Sequence, residues 1–296
     1  MTYRIVKPTT KAQIAAYHQL RFTLLRQPWG QEKGSEIDDL EASSVHRMIV
    51  DEQDKVVAVG RYHKTDCYTA QIRFMAVDDS VQGQGVGKLM LTALEQIAAQ
   101  QGVEVIELNA RENAVKFYQA CDYQLGDKSH LLYGQIQHYK MRKMLQPSTT
   151  EYSDALTQLK QVWHQTISVS KHMLIHPASL IEGVFTVCAD RQANINLHNT
   201  MFAGSIYTLA TLTGWGRVHL LLEQQNLNGD IVLADADIRY HKPLHGQPLA
   251  QTVDLDGDVS VLQRGKRARL KIHVNVLDGD TIAASFSGKY VVLPKA

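Results

Sequence analysis

The stretch that most restricts what this chain can fold into runs from Asn194 to Glu223, NINLHNTMFAGSIYTLATLTGWGRVHLLLE. Three asparagines (Asn194, Asn196, Asn199) lead into about twenty residues with almost no charge before Arg217. Met201, Ile206, Leu209, Leu212, Trp215 and Leu220 recur at helical spacing, with the small residues Ala203, Gly204, Ser205, Ala210, Gly214 and Gly216 between them. A helix apolar nearly all round is a buried helix, and small residues let its backbone approach a neighbour closely. Asn199 or Thr200 is placed to cap it. The remaining free N–H groups would favour partial negative charge at that end. The second half of the chain is therefore expected to wrap a sheet around this helix, with chemistry at its N-terminus.

A chain of 296 residues has room for two domains. Its 44% hydrophobic and 21% charged content is that of a globular protein. A net charge of +1 gives no general attraction to nucleic acid or to a membrane. Cys67, Cys121 and Cys188 are too scattered for a disulfide framework or a metal motif, so a reducing cytoplasm is the expected home. The 13 histidines form no HExxH or finger pattern, and no metal is expected. Met1–Lys7 does not read as a signal peptide, and no apolar run is long enough to span a bilayer.

The first half reads as a short strand at Tyr3–Val6, then a helix capped by Thr10 and running to Leu25. Strands follow at Val45–Val50, Val56–Arg61 and Ile72–Val77. Three glycines (Gly83, Gly85, Gly87) then enter an amphipathic helix carrying Leu89, Leu91, Leu94 and Ile97. A strand at Val105–Leu108, a helix over Asn113–Cys121 and two strands within Ser129–Met144 complete it. A glycine turn between strand and helix presents backbone N–H groups to a phosphate. Lys88 is followed by leucine, so this is no Walker loop, and the alternating glycines are not the Rossmann fingerprint.

FMAVDDSVQGQGVGKLML, followed by NAVKFYQACDY, resembles the GNAT superfamily of acyl-CoA N-acyltransferases. The resemblance covers about residues 3–145. It implies that Gln82, Gly83, Gln84, Gly85, Val86 and Gly87 bind the pyrophosphate of acetyl-CoA or CoA, and that the backbone at Met75 and Val77 pairs with the pantetheine arm. Asn113, Phe117, Tyr118 and Tyr123 match the later motif, which makes Tyr118 the expected general acid for the leaving thiolate; a packed aromatic beside the cofactor is the alternative. Lys116 stands where the family has alanine, and Asp122 where it has a glycine that often needs positive φ, a conformation aspartate tolerates better than most.

Gln146–Asp154 is polar and aperiodic and reads as a boundary. It divides the chain into a first domain at 1–146, a linker at 147–154 and a second domain at 155–296. An amphipathic helix at Tyr152–Gln165, strands at Met173–Ala178 and Gly183–Ala189, the buried helix, and four strands within Asp230–Leu293 follow. That is the element order of a hotdog domain, an antiparallel sheet around one long helix. The fold class is thus α+β, GNAT followed by hotdog. Asn196 to Ser205 resembles the hotdog domains fused to GNAT domains that act as malonyl-acyl-carrier-protein decarboxylases; similar domains elsewhere are thioesterases.

Hotdog thioesterases usually carry an Asp or Glu near the helix to activate water or attack the thioester, and no Asp or Glu lies between Asp190 and Glu223. His198 is the one alternative base in the loop. Decarboxylation of a malonyl thioester needs only donors aimed at the developing enolate oxygen. Asn196 and Thr200 are the expected donors, assisted by backbone N–H groups near Gly204; simple capping is the alternative role. Arg264, Lys266, Arg267 and Arg269 form the densest basic run and are a candidate docking surface for an acidic acyl carrier protein, with phosphopantetheine as the substrate arm. Three readings stay open: decarboxylase, thioesterase, or an acetyltransferase whose hotdog half only binds acyl carriers. A homo-oligomer through the hotdog half is expected.

Overall fold

The computed structural model describes residues 2–145 and 153–295. Contacts between backbones divide the chain into two units, Met1–Pro147 and Ser148–Ala296. Most of the expected linker lies outside the described residues.

In the first unit, strands β1 (Arg4–Val6), β2 (Val45–Val50), β3 (Val56–Lys64), β4 (Thr69–Val77), β5 (Val105–Arg111), β6 (Gln124–Leu132) and β7 (Ile136–Met144) form a mixed sheet in the order β1-β2-β3-β4-β5-β7-β6. Helix α1 (Lys11–Leu25) starts with a capping box in which Thr10 and Gln13 satisfy each other's backbone N–H groups. Alternation along β2 sends Met48 and Val50 to one face and Ile49 to the other. Tyr17 of α1 packs with Met48, Val50, Val59 and Ala76. Met90, Leu91 and Leu94 of α2 (Val86–Gln100) pack with Ile49, Ala58, Tyr62 and Ile72 on the opposite face. Helix α3 (Val115–Gln119) is shorter than the expected Asn113–Cys121, because Glu112–Ala114 forms a 3-10 turn.

Only β4 and β5 run parallel, and their pairing covers Thr69–Ile72 against Val105–Leu108. Beyond Ile72 the strands part. Phe74 sits there at φ +52°, and the β3–β4 register slips between Val59 and Arg61, so a bulge turns β4 away from its neighbour.

In the second unit, α4 (Ser153–Thr166) and a short α5 (Ser168–His172) precede β8 (His176–Ile181) and β9 (Val184–Cys188). Helix α6 (Ala203–Gln224) follows, then β10 (Gly229–Tyr240), β11 (Leu249–Asp256), β12 (Ala268–Asp278) and β13 (Thr281–Pro294). The sheet is antiparallel throughout, in the order β10-β13-β12-β11-β9-β8. β12 turns Ala268, Leu270, Ile272, Val274 and Val276 inward onto α6. This is the hotdog arrangement.

The glycines of α6 serve two neighbours. A Cβ on Gly214 would overlap the Tyr290 ring, whose hydroxyl donates to the Thr211 carbonyl at 2.8 Å. A Cβ on Gly216 would lie 2.6 Å from Trp163 of α4 and 2.9 Å from Phe185 of β9. Helix α6 begins later than expected. Met201 donates its N–H to Leu244 at 2.9 Å and bridges Ile195, so the helix starts only after Phe202.

On an open helix face Gly→Ala would stabilise by about 1 kcal/mol. At Gly216 the sign reverses. Gly216→Ala is expected to lower the stability of the second unit by about 1–3 kcal/mol, because Trp163 and Phe185 are fully buried and cannot swing away. Denaturant melts of wild type and variant measure it, and a more stable variant would show that the α4–α6 contact is loose.

Candidate functional site

A groove of about 650 Å³ opens where β4 and β5 part. Met75, Val77, Gln82, Asn113 and Tyr118 line it, which brings five of the expected residues to one place. Tyr118 is buried, and its hydroxyl lies 3.9 Å from the Met75 sulfur. Burial pushes this hydroxyl far above its ordinary pKa, so it keeps its proton at neutral pH and is not a base there.

The glycine turn follows β4. Gly85 is the N-cap of α2 at φ +81°, Gly83 stands at φ +75°, and a Cβ on either would meet nothing within 4 Å. No side chain caps α2, and its first turn holds no acid. Those N–H groups therefore face open space suited to a pyrophosphate. Gly87 has a different task, since its Cα rests on the Phe117 ring, where an added Cβ would lie at 3.3 Å. Gln84 ties its amide to Tyr3 at 2.9 Å and Ser80 at 3.3 Å, and Val86 is buried in the core. Either can reach a phosphate only through its backbone. Asp122 takes φ +68°, as its place in the motif requires.

Other residues on the groove wall carry no local sequence signal. Four guanidinium groups surround the Phe74 ring, with Arg21 at 4.0 Å from its centroid, Arg61 at 5.0 Å, Arg26 at 5.1 Å and Arg73 at 5.3 Å. Glu41 receives Arg21 at 2.8 and 3.0 Å, and Asp38 receives Arg61 at 2.5 and 2.6 Å and Arg73 at 3.1 Å. Burial alone would raise Glu41. Hydrogen bonds from His18 and Arg21, and the charges of Arg21 and Arg61, hold it well below the carboxylate range instead. Arg26, Arg73, Arg111, His130 and His138 all line the groove.

In the second unit, Asn196 and Thr200 do come together. The Asn196 amide donates to the Thr200 hydroxyl at 3.1 Å and accepts the His198 N–H at 2.9 Å. They close a turn rather than cap the helix. The N-cap of α6 is Phe202, no side chain caps it, and its first turn has no acid. The caps expected at Asn199 or Thr200 are thus corrected, because the chain is still bonded to Leu244 and Asn194 at Met201 and Phe202. Asn199 instead sits at φ +58° and holds Arg191 at 2.9 and 3.0 Å. Asn194 is buried and anchors the approach to α6, donating to the carbonyls of Met173 at 2.8 Å and Asp190 at 2.7 Å. Gly204 lies against the exposed Phe202 ring, which would have to turn aside to admit a Cβ.

The basic run does not join this site. Arg264 ends a 3-10 turn, and Lys266, Arg267 and Arg269 lead into the start of β12, which pairs with the end of β13. The α6 N-terminus lies at the other end of the sheet, where Tyr240 donates to the Ala203 carbonyl. Helix α6 itself is ~33 Å long. The run is fully exposed but is remote from Asn196.

Residues 14–123 match the acetyltransferase (GNAT) family, and residues 156–294 match the family described as "Putative thioesterase (yiiD_Cterm)". The chain belongs to the GNAT family through its first half and carries a thioesterase-like hotdog domain in its second. The uncharacterized N-acetyltransferase YjcF of Bacillus subtilis is 35% identical over 108 residues, 36% of this chain and 76% of that protein. The solved "putative thioesterase" of Shewanella oneidensis is 48% identical over 48% of this chain and 99% of its own, with a TM-score of 0.46. A solved aminoglycoside 6'-N-acetyltransferase complexed with coenzyme A matches 50% of this chain and 98% of its own at 14% identity and a TM-score of 0.43. Among the described residues no cluster of His, Cys, Asp or Glu could hold a metal, and no helix is long and apolar enough to cross a membrane.

The cation cluster has a consequence for stability. Burial, with the charges of Arg61 and Arg73, pushes His63 down to about 4. An unfolded histidine takes its proton near 6.5, so between those values the unfolded chain binds the proton and the folded one does not. The first unit is therefore most stable above pH 6.5 in this respect and loses stability as pH falls toward 4. Urea midpoints across that window should decline, and His63→Gln should flatten part of the decline. An unchanged slope in the variant would assign the effect elsewhere.

Proposed function

We propose that the hotdog half decarboxylates a malonyl thioester, borne on acyl carrier protein or coenzyme A, to the acetyl thioester that primes fatty acid synthesis. The observation that carries this reading is the mouth of α6. Its N-terminus is uncapped and free of acid, and the Asn196–Thr200 pair lies beside it. One Asn196 N–H is engaged by Thr200; its second has no partner among the described residues. The carbon–carboxylate electron pair passes into the thioester as carbon dioxide leaves, and the oxygen that gains charge needs N–H donors. The resulting carbanion takes a proton from solvent. No side chain has to attack or to remove a proton. Hydrolysis would need a base to activate water. The nearest preceding acid, Asp190, accepts the Ala193 N–H on Oδ1 at 2.8 Å.

The GNAT half is read as an acetyl-CoA-dependent N-acetyltransferase. Coenzyme A would lie along Met75–Val77 with its pyrophosphate on the turn at 82–87, supplying an activated acetyl group. Support comes from the open glycine turn and the uncapped α2. Self-association belongs to this reading too. β10 is a 12-residue edge strand with one unpaired side, the kind of edge that a second copy covers. Sedimentation at micromolar concentration should give a dimer or larger, and a fully active monomer would overturn this part.

The test of the main reading is the intact mass of malonyl-carrier protein after incubation. Loss of carbon dioxide supports decarboxylation, release of free thiol supports hydrolysis, and no change leaves only the acetyltransferase half active. Asn196→Ala should lower kcat about 10²–10³-fold with little change in melting temperature, as loss of one oxyanion donor does. Wild-type turnover by the folded variant would reduce Asn196 to a turn former.

A further inference from the structure

The groove of the first unit has two flanks of different chemistry. The glycine turn enters α2, which packs on one face of the sheet. Arg26 ends α1, which packs on the other. Arg111 reaches that same flank, where its guanidinium donates to the Leu25 carbonyl at 3.3 Å and lies 5.9 Å from the Trp29 ring.

Arg21, Arg61 and Arg73 are matched by Glu41 and Asp38, whereas Arg26 and Arg111 form no ion pair with any described residue. Arg26 gives its Nε to the Ser35 carbonyl at 2.9 Å and an Nη to the Leu25 carbonyl at 3.3 Å, and its guanidinium otherwise faces the rings of Phe74 and Tyr133. Both arginines are half-buried and both line the groove. Burial lowers each below its ordinary value and neighbouring cations add to the shift, Arg21 and Arg73 for Arg26 and Arg26 for Arg111, while Tyr133 and Glu36 oppose it at Arg26 and Tyr133 and Tyr118 at Arg111. Glu36, the carboxylate that acts on Arg26 through its charge, is buried and spends an oxygen on the Gly34 N–H at 2.7 Å. Two half-buried cations on a cavity wall with no carboxylate in direct contact among the described residues are incompletely compensated. An anion in the groove would complete them.

We propose that Arg26 and Arg111 bind the anionic group of the acyl acceptor, so that the first half acetylates a small amine bearing a carboxylate or a phosphate. This rests on reading that half as a CoA-dependent acetyltransferase. The stacked pair His130 and His138, 4.5 Å apart, stands on the same wall. His138 Nδ1 is 3.0 Å from the Ile136 carbonyl, which can only accept, so Nδ1 carries the hydrogen and Nε2 a lone pair. Burial, the carbonyl's opposing pull, and the charges of His130, Arg111 and Arg26 leave this ring below its ordinary pKa and neutral at pH 7.

The transfer then balances. The ammonium loses one proton to His138 Nε2, and the amine lone pair forms the C–N bond to the acetyl carbonyl carbon. The C–S bond breaks with its pair going to sulfur, and the sulfur takes the proton of the Tyr118 hydroxyl. The second amine proton restores Tyr118 through solvent, and one proton is released overall.

The experiment uses the full-length protein. CoA is titrated first by calorimetry. The CoA-saturated protein is then titrated with 4-aminobutyrate, butylamine, O-phosphoethanolamine and ethanolamine, and thiol release from acetyl-CoA is followed with each. An anionic member is expected to bind and to react about tenfold or more better than its neutral-tailed partner. A carboxylate or a phosphate preference between the two pairs identifies the source. Arg26→Gln and Arg111→Gln should each reduce that preference several-fold, with CoA affinity and melting temperature reporting that the groove is intact. Equal behaviour of anionic and neutral amines, or a preference untouched by both variants, overturns the proposal even if CoA binds. If CoA does not bind, the acetyltransferase reading falls, and titration of the anionic amines on the free protein still decides whether the two arginines hold an anion.

Discussion

The end of β4–β5 pairing at Ile72 and Leu108 is the constraint on which the first half depends. Parallel strands that stay paired leave no room between them. Here a bulge and a positive-φ Phe74 turn β4 outward, and the gap becomes a groove. Holding a phenylalanine in that conformation costs of the order of 1–3 kcal/mol. The compensation is visible around its ring, where four arginines make cation–π contacts and two carboxylates hold three of those arginines in place. Removing either carboxylate would strand buried cations, a far larger penalty than the pair's net contribution. The network keeps the groove open; it is more than a set of surface ion pairs.

The second half depends on a different kind of fit. Helix α6 is gripped on one side by Tyr290 and on another by Trp163 and Phe185, and at both places only glycine leaves space. The same grip fixes where the helix begins. Because Met201 and Phe202 are tied to Leu244 and Asn194, the first turn cannot extend backward to meet Asn199 or Thr200. The turn of Asn196 and Thr200 is left beside bare N–H groups rather than consumed in capping them.

How far these features could be read from the chain follows from their range in sequence. Strand alternation and the glycine turn are local, and strands β2, β3 and β4 and the helix behind the turn appear close to where pattern places them. The positive φ of Asp122 follows from its place in a local motif. Arg26, Arg73, Arg111 and His138 meet only after the sheet forms, and nothing in their neighbours' spacing announces it. The segment from Gln27 to Ser44 has no periodicity at all, yet it supplies Asp38 and Glu41. The position of the basic run at 264–269 is likewise not legible in the sequence. Charge density in sequence says nothing about which end of a strand it occupies, and β12 carries it to the end remote from Asn196.

Helices α2 and α6 share one device. Helix α1 satisfies its first N–H groups with Thr10 and Gln13, and needs no ligand. Helices α2 and α6 begin at Gly85 and Phe202, without a capping side chain and without an acid in the first turn. In each case the residue before the helix is fixed by other demands, a left-handed φ at Gly85 and backbone bonds to Asn194 at Phe202. Free N–H groups at a helix start are stabilised by water or by an anion, and water is the weaker partner once a substrate excludes it. An Asp in place of Phe202, whose backbone is extended, would stabilise α6 by about 1 kcal/mol and set a negative charge at the helix mouth, whereas the left-handed φ of Gly85 excludes such a cap from α2. The lower stability of an open helix start and its capacity to receive an anion are therefore the same property, present once in each half.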